Sequence, residues 1–122
     1  MVLDSGPAQD PAEAEPLARL ALEWADERDV ASQAYARGAL GRALALRGAT
    51  GEAQEEAREA VHMSSESDFL NQRGDVLLDL ALVLRACGDG DGSRTAAREA
   101  LVFYRAKGNV VSTRRAAAFA GD

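Results

Sequence analysis

Three polar side chains, two of them carboxylates that could carry acid–base chemistry, recur at every fourth position in the most apolar part of the chain. They are Asn71, Asp75 and Asp79, and residues four apart lie on one stripe of an α-helix. Two carboxylates on one stripe could act as an acid and a base. They could also form ion pairs with arginines of an adjacent helix, and we favour this interpretation. The candidate partners are Arg37, Arg42, Arg114 and Arg115.

The other reactive residue types occur singly. His62 is the only histidine and Cys87 the only cysteine, so an intramolecular disulfide is excluded. A metal site or an activated nucleophile needs partner residues, and Met63 and Ser64 beside the histidine are poor partners. The sequence therefore predicts an exposed histidine, an inert thiol, no enzyme activity, no cofactor and no metal site.

The segment 88–92 reads Gly-Asp-Gly-Asp-Gly and invites two ligand-binding interpretations. A phosphate-binding loop needs a preceding strand, but a helix is predicted there. A calcium loop needs glycine at its sixth position and glutamate at its twelfth. Counted from Asp89, these positions hold Arg94 and Ala100. The segment is therefore predicted to be a flexible turn between helices.

Composition indicates that all these residues lie on or between helices. The chain has 122 residues, 26 of them alanine, and no isoleucine. Alanine, leucine, glutamate and arginine favour helix, and this length is typical of one domain. We predict a disordered leader over residues 1–9 and a single all-α domain over 10–122. Its six helices are expected to start near residues 10, 31, 50, 68, 91 and 110.

Charge and hydropathy limit the classes of partner that the chain is expected to bind. The net charge of −6 argues against nucleic acid. The chain also lacks an uninterrupted apolar run of the length that a transmembrane helix needs, which argues against membrane insertion. The start lacks the pattern of a signal peptide, so we expect a cytoplasmic protein. Residues 1–29 carry −6 and residues 93–115 carry +5. These charges are either solvated helix faces or the basis of head-to-tail self-association.

An internal repeat organises the helices. The pattern Ala-Arg-x-Ala followed by an apolar residue begins at Ala18, Ala57 and Ala97. The preceding helices align at a spacing of 38, with residues 43–47 matching 81–85. Chance similarity in an alanine-rich chain is the alternative. Repetition at such intervals is typical of stacked helical units.

This pattern resembles the tetratricopeptide repeat. Leu40-Gly41 with Leu44 fits the first helix of that repeat, and Ala53, Ala57 and Ala60 fit the second. The closing proline of the family is absent, and Asp79 is aligned with Gly41. The resemblance implies antiparallel helix pairs stacked as a solenoid, acting as a non-catalytic protein-interaction or scaffolding module. It also implies a groove for a peptide with an acidic group. The groove residues would be Tyr35, Gly38, Arg42, Arg73, Val76 and Leu80.

A narrower resemblance rests on segments 68–71, 74–75, 78–81 and 107–111. They are similar to the C-terminal helical repeats of large actinobacterial signalling ATPases, which often carry a nucleotide cyclase domain or a LuxR-type DNA-binding domain. This resemblance implies an alternative function. The chain would then be a C-terminal regulatory repeat segment of a multidomain signalling ATPase, nucleotide cyclase or transcriptional regulator.

Overall fold

The computed structural model describes residues 11–121, and the predicted leader, residues 1–9, lies outside them. The described residues form an all-α structure without strands, as predicted. None of the helices within this range is both long and apolar enough to cross a membrane. The six helices are α1 (Pro11–Trp24), α2 (Val30–Arg47), α3 (Thr50–Ser64), α4 (Leu70–Ala86), α5 (Gly90–Lys107) and α6 (Val110–Ala120).

Each helix packs mainly against its neighbours in the chain, and α2 also packs against α4. Helix α4 thereby contacts α2, α3 and α5, which explains why its apolar face is the widest in the sequence. Its buried side chains include Val76, Leu78 and Val83. Helix α4 therefore occupies the centre of the described structure.

Glycines in the left-handed conformation follow α2, α4 and α5. Gly48, Gly88 and Gly108 have φ of 89°, 87° and 79°, values that glycine adopts without steric cost. The first two are separated by 40 residues, as are Tyr35 and Asp75 on α2 and α4. The residues that precede α4 and α6, Phe69 and Asn109, are separated by the same interval. We call this interval the structural period, and it replaces the alignment at 38.

Residues 88 and 89 of the glycine-rich segment lie in the predicted connection between helices, but residues 90–92 form the first turn of α5, so the predicted turn is shorter than the segment. Helix α5 begins at Gly90, and the Asp89 carboxylate accepts a hydrogen bond of 2.8 Å from the Gly92 amide. An aspartate at this position satisfies one of the free N–H groups of the first turn. The connection between α4 and α5 consists of Cys87, Gly88 and Asp89 alone.

Small residues allow close contact between helices of one pair. Ala53 and Ala57 in α3 are completely buried. A Cβ atom built on Gly41 of α2 would lie 3.1 Å from the Ala53 carbonyl oxygen and 3.3 Å from the Ala57 Cβ. The backbones of α2 and α3 therefore leave no room for a larger side chain.

We expect Ala57→Leu to lower the free energy of unfolding by about 1–3 kcal/mol, because the added atoms must displace α2 or adopt a strained rotamer. Urea denaturation followed by circular dichroism measures the change. Ala106→Leu, at an exposed position of α5, is the matched control and should have little effect. Equal stability of the two variants would show that the α2–α3 contact tolerates a larger residue.

Candidate functional site

The stripe of polar residues on α4 faces α2. Asp79 Oδ1 lies 2.8 Å from Arg42 Nε, and the aspartate side chain is only 14% exposed. The Arg42 Nε atom makes no well-directed hydrogen bond, so this contact is primarily a charge interaction. Arg37 pairs instead with Glu56 of α3, at 2.9 Å. Of the interpretations open for the stripe, pairing of Asp79 with Arg42 is confirmed.

The other members of the stripe connect α4 to three helices. The Tyr35 hydroxyl donates to Asp75 Oδ2 at 3.0 Å, and the Tyr104 hydroxyl donates to Asp75 Oδ1 at 2.5 Å. The Asn109 amide donates to the side-chain oxygen of Asn71 at 3.0 Å. One face of α4 is thus tied to α2, α5 and the start of α6 by side-chain hydrogen bonds.

The pKa values of this cluster are shifted upward. Burial raises the pKa of Asp79 to about 6, although the positive charge of Arg42 opposes the shift. Burial also raises the pKa of Tyr35 to about 12, and the negative charge of Asp75 adds to the effect. The pKa of Tyr104 is raised by burial and by its hydrogen bond to Asp75. At neutral pH both tyrosines are therefore protonated donors.

Gly38 makes room for the buried carboxylate. A Cβ atom at this position would collide with Asp79 Oδ2 and would lie 3.3 Å from its Cγ. The residue is buried between α2 and α4. Its structural role is therefore to admit the side chain that pairs with Arg42.

The three groove residues predicted on α4 lie elsewhere. Val76 and Leu80 are core residues, 1% and 7% exposed, and the Arg73 guanidinium lies 4.3 Å from the centre of the Phe103 ring. Arg73 precedes Asp75 by two residues and points to nearly the opposite side of the helix. Arg73 and Val76 line a small cavity of about 160 Å³ with Phe103 of α5, whereas Tyr35 and Arg42 of α2 share the face that meets the polar stripe. The six predicted groove residues therefore do not lie on one face, and peptide binding at them stays a prediction.

An exposed aromatic residue next to this face was missed by the sequence analysis. Phe69 is 66% exposed and forms a common wall of two open cavities of about 550 and 330 Å³. Tyr35 lines the smaller cavity. Below them, the buried Gln72 amide donates to the Ala31 carbonyl at 2.7 Å and fixes α4 to α2. We call Phe69, Tyr35 and the two cavities the Phe69 surface.

The residues that precede α2, α4 and α6 carry a sequence signal from which this surface could have been predicted. Asp29 and Asn109 precede α2 and α6, and each accepts a hydrogen bond from a backbone amide of its helix. Phe69 occupies the equivalent position before α4 and provides no side-chain cap. An aromatic residue where a polar cap is preferred indicates a requirement other than helix stability.

These observations define, for the described residues, an all-helical protein built from helix pairs that recur at the structural period, with a polar cluster between α2, α4 and α5 and an exposed aromatic surface at Phe69. Comparisons with protein-family models, curated proteins and solved structures found no match to the chain.

Proposed function

We propose that this chain is a non-catalytic protein-interaction module, and that the Phe69 surface binds an apolar segment of another protein. The observation that carries the proposal is the aromatic residue at a cap position. Replacing a cap costs a helix about 0.5–2 kcal/mol, and here the substituted side chain is left mostly exposed. Contact with a partner would bury it.

The surroundings of Phe69 favour binding because they are already ordered. The Tyr35 hydroxyl is held by Asp75, which is held in turn by Tyr104. The Gln72 side chain fixes the helix that follows Phe69. A partner would therefore meet preformed aromatic contacts, and little side-chain entropy would be lost on binding.

The charges around the cavities favour a segment without net negative charge. Acidic residues exceed basic ones, with Asp29, Glu66 and Asp68 against Arg28 and Lys107. The two arginines on which the expected acidic partner depended do not meet, because Arg42 pairs with Asp79 and Arg73 covers Phe103. We therefore propose an apolar anchor flanked by basic residues.

A randomised peptide library displayed on phage tests the proposal. Selected peptides should share a large apolar side chain with basic rather than acidic neighbours. Phe69→Ala should weaken the binding of the selected peptides by about tenfold or more, as expected for an aromatic anchor. Affinities can be measured by fluorescence anisotropy of labelled peptides.

Val102→Ala is the matched control, since Val102 is 64% exposed on α5 and lies outside both cavities. Its peptide affinity should equal that of the unchanged protein. Failure to enrich any peptide, or selected peptides that bind Phe69→Ala equally well, would refute binding at this surface.

A further inference from the structure

A second apolar surface lies between α1 and α2. Leu17 and Trp24 of α1 are 64% and 76% exposed, although they belong to the apolar stripe of an amphipathic helix. Leu17 lines an open cavity of about 420 Å³. The lining residues are Ala14, Leu17, Ala18, Ala21, Ser32, Tyr35, Ala36 and Ala39. We call this region the α1–α2 groove.

The side of α2 that lines the groove is equivalent to the side of α4 that packs against α2. Its residues are Ser32, Tyr35, Ala36 and Ala39. The residues one structural period later are Gln72, Asp75, Val76 and Asp79, and this side of α4 packs against α2. Gln72 binds the Ala31 carbonyl, Asp75 accepts from Tyr35, and Asp79 pairs with Arg42. The α2 residues that line the groove therefore occupy the same positions in the repeat as the α4 residues that pack against another helix.

The opposite end of the structure is formed by α6, which holds the same place in the repeating helix pairs as α2 and α4. Helix α6 begins one structural period after α4 and packs against α5 through Ala116 and Ala120, which are buried. Val110 and Val111 are 62% and 71% exposed on its other side. In the described structure α2 packs between α1 and α3, and α4 packs between α3 and α5, whereas α6 has α5 as its main contact.

We propose that α6 of one copy packs into the α1–α2 groove of a second copy. Helix α1, which packs mainly against α2, would then have a neighbour on each side, as α3 has in α2 and α4 and as α5 has in α4 and α6. The periodic stacking would continue across the contact. Charge complementarity favours this orientation, because the described residues 11–29 carry −4 and residues 93–115 carry +5. Arg114 and Arg115 on α6 are both exposed. Such a heterologous contact closes into a ring or extends as a filament.

Sedimentation velocity over a range of protein concentrations measures the association. The full chain should form concentration-dependent oligomers that dissociate partly at high salt, because surface charge attraction is screened. Leu17→Glu blocks the groove and Val111→Glu blocks α6, so each variant alone should be a monomer. Val102→Glu is the control for an added surface charge and should associate like the unchanged chain.

Mixing the two blocked variants provides the decisive measurement. Leu17→Glu retains an intact α6, and Val111→Glu retains an intact groove, so an equimolar mixture should form a dimer and nothing larger. A monomeric full chain at high concentration and low salt overturns the proposal. Oligomers in either blocked variant alone also overturn it, as does a mixture that stays monomeric while both variants retain helical circular dichroism.

Tyr35 lines both the α1–α2 groove and the Phe69 surface, so the two tests are separated by variants at residues that line only one of them. Phe69→Ala should self-associate like the unchanged chain, and Leu17→Glu should still bind the peptides selected on the Phe69 surface.

Discussion

Tyr104→Ala is expected to lower the free energy of unfolding by about 3–5 kcal/mol, the range found when a large buried aromatic residue is removed. Tyr104 is completely buried and is the largest such side chain among the described residues. Its loss would leave a cavity between α4 and α5 and would remove one of the two hydroxyl donors to Asp75. Urea denaturation followed by circular dichroism measures the effect.

Tyr104→Phe separates the ring from the hydroxyl. It keeps the packing but leaves Asp75 with Tyr35 as its remaining tyrosine donor, so a smaller loss of about 1–3 kcal/mol is expected. Equal losses for the two variants would show that the hydrogen bond, rather than the ring volume, dominates. Unchanged stability of Tyr104→Ala would contradict the packing described for α4 and α5.

Variants at Gly74 of α4 test the contact between this helix and the Tyr104 ring of α5. A Cβ atom on Gly74 would lie 2.6 Å from Tyr104 Cε1, so Gly74→Ala should destabilise the protein because the ring cannot move away. The equivalent positions one structural period earlier hold Ala34 and Ser64, both buried. Gly74→Ala should therefore be tolerated in a Tyr104→Ser background, and the two changes should be strongly non-additive.

Stability is expected to fall as pH rises toward 6 and then to level off, because of Asp79. Its pKa is about 6 in the folded protein against 3.8 for the ordinary side chain. Between these values the folded state binds more protons than the unfolded state, so rising pH favours unfolding. The shift corresponds to about 3 kcal/mol across the full window. Asp79→Asn should remove this pH dependence and should be more stable than the unchanged chain at pH 8.

The comparison with Asp79→Asn isolates the contribution of this carboxyl group. Asp91→Asn is the control, because the Asp91 side chain is 94% exposed, and it should retain the pH dependence of the unchanged chain. Denaturation should be measured above about pH 5, where the remaining part of the window corresponds to about 1.4 kcal/mol. The pKa values of Glu15 and Asp29 are lowered by hydrogen bonds to Arg47 and to Ser32, so these groups lose their stabilising effect at lower pH. A profile that is the same with and without Asp79 would contradict the prediction.

The helices could be predicted because their signals are local. The helices begin within two residues of the expected positions, and Gly48 and Gly108 end helices in the left-handed conformation, which depends only on the neighbouring backbone. The repeat register was less certain. Residues 43–47 match residues 81–85 better than residues 83–87, so the sequence favours the alignment at 38, and the structural period follows from the positions of the caps and turns.

The candidate site was predictable only in part. Periodicity placed Asp75 and Asp79 on one stripe, and charge suggested Arg42 as a partner. The tyrosines that bind Asp75 lie 40 and 29 residues away in the sequence, and no local pattern relates them. Arg73 was assigned to the groove by its charge and position, although its side of α4 meets α5 rather than the polar face.

Because each helix packs mainly against its neighbours in the sequence, the helices are expected to differ in how readily they open locally. Helix α4 packs against three others, whereas α1 and α6 each pack chiefly against one. Amide hydrogens exchange with solvent when a segment opens, and segments with fewer buried contacts open at lower free energy. Protection from exchange should therefore decrease from α4 toward both ends. Leu17 and Val111 then lie in the segments that open most readily, so a contact made there would order the parts of the molecule that have the least order of their own.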